Sequence, residues 1–242
     1  MTQNTLILSV ETSGRNGSVT IAKGEKILEK QEFSAPMKHS AELFPCVAQM
    51  LKNNNCTPQQ IGHVYISIGP GSFTGLRIAA TIAKMMHLAN NVKIVAVDTL
   101  DVIASNADQY IQSQPDSNID RIAVILDAKR GRFFVAAYQK TPKGWEKVLD
   151  DCLITSKQFI EKFNDQQPIW LLGEGLVYYS DDFRTDNIKI MDEKTWYPSA
   201  EKLHSLGFRK ACLGQFDDAE KLVPAYLCGP HAEKKRLNTK KT

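Results

Sequence analysis

The chain has no C-x-x-C pair, no H-E-x-x-H or H-x-x-x-H spacing, no G-x-x-x-x-G-K-[ST] loop and no window approaching eighteen uninterrupted apolar residues. Each absence removes a class. The five cysteines, Cys46, Cys56, Cys152, Cys212 and Cys228, are odd in number and widely spaced, which argues against a zinc or redox motif and fits free thiols in a reducing cytosol. His39, His63, His87, His204 and His231 are scattered, so each reads as a capping or surface residue, and no metal site is expected. The Met1 to Val10 start has no basic n-region and only a short apolar run, so neither a leader nor a membrane span is expected.

A large excess of one charge is missing too. The net charge is +3, but the end His231 to Thr242 carries five Lys/Arg against one Glu, a local +4, which leaves about −1 for the rest. The body is no electropositive platform for nucleic acid. The basic end reads as either a solvated tail or a contact to RNA phosphates.

What is present is a balanced globular composition, with 43% hydrophobic and 24% charged residues over 242 positions. "TLILSVE", "SVTIAK" and "KILEKQEF" read as a meander of three strands, followed by a helix from about Ser40 carrying Leu43, Phe44, Val47, Met50 and Leu51. "HVYISI" is a buried strand, Ser67 to Met86 a turn and helix, and "KIVAV" a strand. Thr99 is expected as the N-cap of a helix reaching Ile111, and Gln112 to Asn118 as a linker. The same order then restarts. "RIAVILD", "RFFVAAYQ" and "WEKVLDDCLI" are strands, and Thr155 to Gln158 is a capping box. "IWLLG" is a strand, Glu174 to Asp181 a helix, "IKIM" a strand and Ser199 to Ala211 a helix.

Two halves with one β-β-β-α-β-α-β-α order predict an α/β fold of two tandem ribonuclease-H-like lobes, the plan of the actin, Hsp70 and sugar-kinase class. The expected division is residues 1–112, residues 119–228, whose last helices can pack back on the first lobe, and a basic tail, 229–242. In that class ATP phosphates lie between the first turns of the two lobes, here Glu11 to Gly17 and Asp127 to Gly131. The first turn is permissive; the second carries Lys129 and Arg130 and one glycine. Glu11 and Asp127 end corresponding strands, either to hold a metal together or to cap their own turns.

The stretch "SIGPGSFTGLRIAATIAKMM" misses the dinucleotide fingerprint by one residue, because Thr74 stands where Gly75 would be needed. It is not a G-x-S-x-G elbow either, since Pro70 replaces the first glycine. It reads as a sharp corner with Ser72 or Thr74 capping a helix. That helix is apolar nearly all round, with only Arg77, Thr81 and Lys84 as a polar stripe. Such a helix is either fully buried or covered by a partner.

"GPGSFTGLRIAATIAK" resembles the hallmark of the TsaB (YeaZ) family, subunits of the bacterial tRNA threonylcarbamoyladenosine machinery. The resemblance extends through "LILSVETSGRNGSVTIA", "KHSAELFPCVAQML", "AVDTLD", "LDAKRGRFFVAAY", "LLGEG" and "LVPAYL", over roughly residues 5 to 228. It implies a cytoplasmic, non-catalytic subunit with no cofactor of its own. Such a subunit binds TsaD, together with TsaE, and meets tRNA indirectly, so that TsaD can modify the adenosine 3′ of the anticodon in tRNAs reading ANN codons. Alone it is expected to be a homodimer.

By position, the resemblance places the contact at His39, Leu43, Val47, Ser72, Phe73, Thr74, Gly75, Arg77, Ile78, Thr81, Ile82 and Met85. Glu11, Thr12, Ser13, Asp127, Lys129 and Arg130 become vestigial nucleotide turns. Glu11 stands where the family usually has Asp, and Lys129 where Arg is common. The rival reading is an ATP-dependent small-molecule kinase using the cleft; a peptidase has no nucleophile-base motif behind it.

Overall fold

A computed structural model of the chain describes residues 2–34, 39–114, 118–142, 144–163 and 167–225, without the side chains of residues 39 and 40. Two five-stranded sheets organise it. The first contains β1 (Leu6–Glu11), β2 (Ser18–Lys23), β3 (Lys26–Glu32), β4 (Ile61–Gly69) and β5 (Lys93–Asp98), in the order β3-β2-β1-β4-β5. The second contains β6 (Arg121–Asp127), β7 (Phe133–Thr141), β8 (Gly144–Ile154), β9 (Ile169–Leu172) and β10 (Ile188–Ile190), in the order β8-β7-β6-β9-β10. The orders are equivalent strand for strand. In both, the first three strands pair antiparallel and the last two join parallel to the first, as the repeated element order predicts. The chain is a pair of ribonuclease-H-like units of the actin, Hsp70 and sugar-kinase class.

β1 is buried along its length because it lies at the centre of a sheet covered on both faces. Leu8 and Val10 pair with Ile21 and Val19 on one side and with Val64 and Ile66 on the other. They face α1 (His39–Asn53) and α2 (Phe73–Asn90), where Leu43, Met50, Ala79 and Ala83 join the same apolar cluster. Ile7 points the opposite way, to α3 (Thr99–Ala104) and α7 (Ala200–Cys212), meeting Val102, Leu203 and Phe208. The last helix therefore packs on the first sheet although the chain reaches it after the second.

The end of α7 and the chain beyond it bond to the outer edge of β5 and to the end of β4. Asp217 accepts from the Ala96 amide at 2.7 Å, Lys210 donates to the Ala96 carbonyl at 2.6 Å, and the Ala225 amide then reaches the Ile68 carbonyl at 2.8 Å. An unpaired strand edge is a template for association, and these side chains occupy it.

Three local expectations are corrected. Thr99 is the first residue of α3 and not its cap; Asp98 holds the cap position without a side-chain bond there, and Thr99 Oγ1 is buried without a partner. The helix read through Ile111 breaks at Ser105 into α3 and α4 (Asn106–Ser113). The Glu174 to Asp181 helix shrinks to α6 (Leu176–Tyr179) and a 3₁₀ turn, Ser180–Phe183. The capping box at Thr155 opens α5 (Ser156–Lys162) as its sequence indicates.

Candidate partner-binding face

The corner before α2 is built by close backbone approach. The Ser72 amide donates to the Ser13 carbonyl at 2.7 Å, and Thr12 Oγ1 donates to the Gly75 carbonyl at 2.8 Å. A Cβ on Gly71 would stand 2.5 Å from the Ser13 carbonyl oxygen, and one on Gly75 1.8 Å from that of Thr12. Only glycine allows the helix to start here. Ser72 is the N-cap, accepting from the Gly75 amide at 3.3 Å.

The corner thereby fills the first of the two turns read as vestigial nucleotide contacts. Thr12 and Ser13 are buried, and Glu11 is wholly enclosed. One Glu11 oxygen accepts from the Ser13 amide at 2.7 Å and the other from the Ser67 hydroxyl. Burial raises the Glu11 pKa, against the lowering effect of those bonds. In the second turn Asp127 accepts from the Lys129 amide and ammonium, each at 2.7 Å. Lys129 and Arg130 sit at φ +69° and +59°, a conformation with a steric cost for side chains with a Cβ. Each carboxylate is thus held by hydrogen bonds within the fold, Asp127 by its own turn and Glu11 by its turn and Ser67 of β4, and no group of three or more His, Cys, Asp or Glu that could hold a metal occurs among the described residues.

A serine-histidine pair is present that the sequence does not reveal. Ser9 Oγ lies 3.5 Å from His204 Nδ1, while His204 Nε2 is 3.2 Å from the Glu25 carbonyl. Ser9 is 0% exposed and His204 2%, so no substrate reaches them. Burial lowers the His204 pKa, which keeps the ring neutral.

An open groove of about 520 Å³ lies between α1 and α2, lined by Phe44, Phe73, Thr74, Arg77, Ile78, Thr81, Ile82 and Met85. Phe44 and Met85 are each 60% exposed, and Leu88 further along α2 is 89% exposed. The Arg77 guanidinium lies 3.7 Å from the centre of the Phe73 ring, so the cation and the aromatic face stack together at the rim. Apolar side chains this exposed on adjacent helices mark a surface for association.

The structure sorts the expected contact residues. Phe73, Thr74, Arg77, Ile78, Thr81, Ile82 and Met85 line the groove, with Ile82 as a buried floor. Ser72 is occupied as the cap. Three of the remaining four do not line the groove: Leu43 is 1% exposed and belongs to the core, Val47 packs half-buried against that core, and Gly75 is locked under Thr12. His39 begins α1, but its side chain lies outside the described residues. Phe44 and Leu88 are also exposed on these helices and are not singled out by the sequence, because Phe44 reads as part of the same apolar face as Leu43 and Leu88 as one apolar residue of a helix apolar nearly all round. The basic tail, 229–242, lies outside the described residues.

None of the described helices is long and apolar enough to cross a membrane. A family model described as "TsaD: tRNA N6-adenosine threonylcarbamoyltransferase" matches residues 25–175. The tRNA threonylcarbamoyladenosine biosynthesis protein TsaB of Bacillus subtilis is 25% identical over 239 residues, covering 97% of this chain and 99% of that protein. Its namesake in Escherichia coli is 24% identical over 231 residues, covering 95% and 97%. The solved structure of YeaZ from Pseudomonas aeruginosa superposes with a TM-score of 0.76 at 22% identity, covering 92% of this chain and 99% of that one. By this match and the hallmark corner, the chain belongs to the TsaD family as that model delimits it, and within it to the TsaB (YeaZ) proteins.

Proposed function

We propose that this chain is the accessory subunit of a tRNA threonylcarbamoyladenosine-forming complex. It binds TsaD, with TsaE, through the α1–α2 groove, and leaves the transfer of the threonylcarbamoyl group onto the adenosine 3′ of the anticodon to TsaD. The observation that carries the reading is the pairing of a plugged first turn with an open apolar face. Thr12 and Ser13 support the corner of α2, whereas Phe44 and Met85 are each 60% exposed among the described residues and Phe73 is 40% exposed beside Arg77. The names of the relatives supply the reaction to which the partner belongs.

In this reading the chain works in the cytoplasm without a cofactor, self-associates through the same face when alone, and touches tRNA only through the complex. Binding TsaD then means exchanging one apolar cover for another, which aligns homodimer and heterodimer as competitors for one surface. The kinase alternative is not favoured, because Glu11 is buried and turned into its own loop.

Light scattering behind size exclusion, on the chain alone and mixed with its cognate TsaD, tests the proposal. A dimer that gives way to a one-to-one complex supports it. TsaD that modifies tRNA equally well without this chain overturns it, and so does strong ATP turnover by this chain in isolation.

A further inference from the structure

We propose that the two lobes are clasped at two separated points and have lost the rotation about the cleft by which two-lobed proteins close on a ligand. Closure of that kind needs one flexible boundary and few cross-lobe contacts. The boundary here is held on two flanks.

On one flank Arg15, in the turn after β1, donates to the Tyr178 hydroxyl at 2.6 Å and pairs with Glu174, just beyond β9, at 3.7 Å. A Cβ on the neighbouring Gly14 would stand 3.7 Å from the same Glu174 carboxylate, so the lobes already touch there. On the other flank Lys147 of β8 reaches three carboxylates. Asp98 at the end of β5 is at 3.4 Å, Asp101 of α3 at 3.0 Å and Asp151 of β8 at 2.7 Å. Tyr138 of β7 donates to Asp101 at 2.8 Å. Burial of Lys147 would lower its pKa, but the bonds and charge of Asp151 and Asp101 outweigh that and raise it, so the cation persists at any physiological pH.

Between the flanks α3 acts as a peg. Its Val102 belongs to the apolar core of the first sheet, and its Leu100 and Ile103 to the core around Ile122, Val124 and Val135 of the second. A helix packed into both cores cannot follow one sheet without leaving the other. A single ion pair would permit pivoting about itself; two pairs on opposite flanks of β6, with a buried peg between, do not. The Lys147 cluster is the stronger tie, because its cation is 21% exposed, against 51% for Arg15.

The clasp can be tested without any partner. Spin labels at Lys23→Cys on β2 and Lys189→Cys on β10, in a chain whose five native cysteines are replaced by serine, report the interlobe distance by electron double resonance. A single narrow distribution is expected, unchanged by millimolar Mg-ATP. Lys147→Met is expected to broaden it, Arg15→Ala less so, the double variant at least twofold, and Lys147→Arg to restore it. A wild-type distribution that is broad or shifts with Mg-ATP overturns the proposal even if no variant folds. A folded double variant as narrow as wild type overturns it as well.

Discussion

The two lobes share one sheet plan and diverge beyond the fourth strand. Gly69 and Gly71 end β4 in the same spacing as Gly173 and Gly175 beyond β9, and Gly69 and Gly173 adopt φ of +123° and +119°. Both corners bring backbone against the first strand of their own lobe. A Cβ on Gly71 would meet Ser13, and one on Gly175 would meet the Ile125 carbonyl at 2.9 Å. From these matching corners the first lobe launches the 18-residue α2 and the second only the 4-residue α6. The sheet needs a corner; it does not need a long helix with Phe73, Met85 and Leu88 in water. In the proposed reading that excess serves association, and the comparison separates the part of each lobe that folds it from the part proposed to meet a partner.

The sharpest way to break the comparison is Gly75→Ala. The added carbon meets the Thr12 carbonyl oxygen, which has no room to move beneath the Ser72 cap, and a loss on the order of 4 kcal/mol is expected by denaturant unfolding. Gly175→Ala, with its looser approach, should cost about 2 kcal/mol. Equal effects would mean that the two corners are not built to different tolerance.

Next come Phe44→Asp and Phe73→Asp. Each should leave the melting temperature nearly unchanged and weaken association with TsaD at least 100-fold, about 2.7 kcal/mol, in a titration followed by light scattering. Ala80 and Ala83 are no substitute, since at 6% and 0% exposure they face the sheet, and enlarging them would unfold the lobe before it tested the face.

A smaller effect comes from acid. Burial, with Lys93 nearby, holds the His63 pKa down at about 4, against 6.5 for a free ring. The unfolded chain therefore takes up a proton below pH 6.5 that the folded chain refuses. Stability is full above that value and is lost as the pH falls from 6.5 toward 4. The expected loss is on the order of 2 kcal/mol, and His63→Gln should flatten that part of the profile of unfolding free energy against pH. The smallest change is Ser72→Ala, about 1 kcal/mol from the lost cap of α2, read from the same unfolding curves.

Much of the fold was legible in the chain alone. The continuous apolar runs of β1 and β6 and the capping box at Thr155 act over a few residues, and the chain's own chemistry decides them. The restart of the element order after Gln112 predicts the duplicated sheet. The near-uniform apolarity of α2 announces a problem but offers two solutions. Leu43 and Phe44 are adjacent and both apolar, and nothing local says which one turns inward.

By itself, then, the sequence determined the strands, the corners and the family likeness, because backbone propensity, capping and glycine's freedom are short-range. Tertiary structure alone decided three things: that the α2 corner plugs the Thr12–Ser13 turn, that α7 returns to the first sheet to bury His204 beside Ser9, and that Phe44 stays in water. The two contacts join residues 63 and 195 positions apart, and such contacts are set by how the packed layers fit and not by any window of the chain.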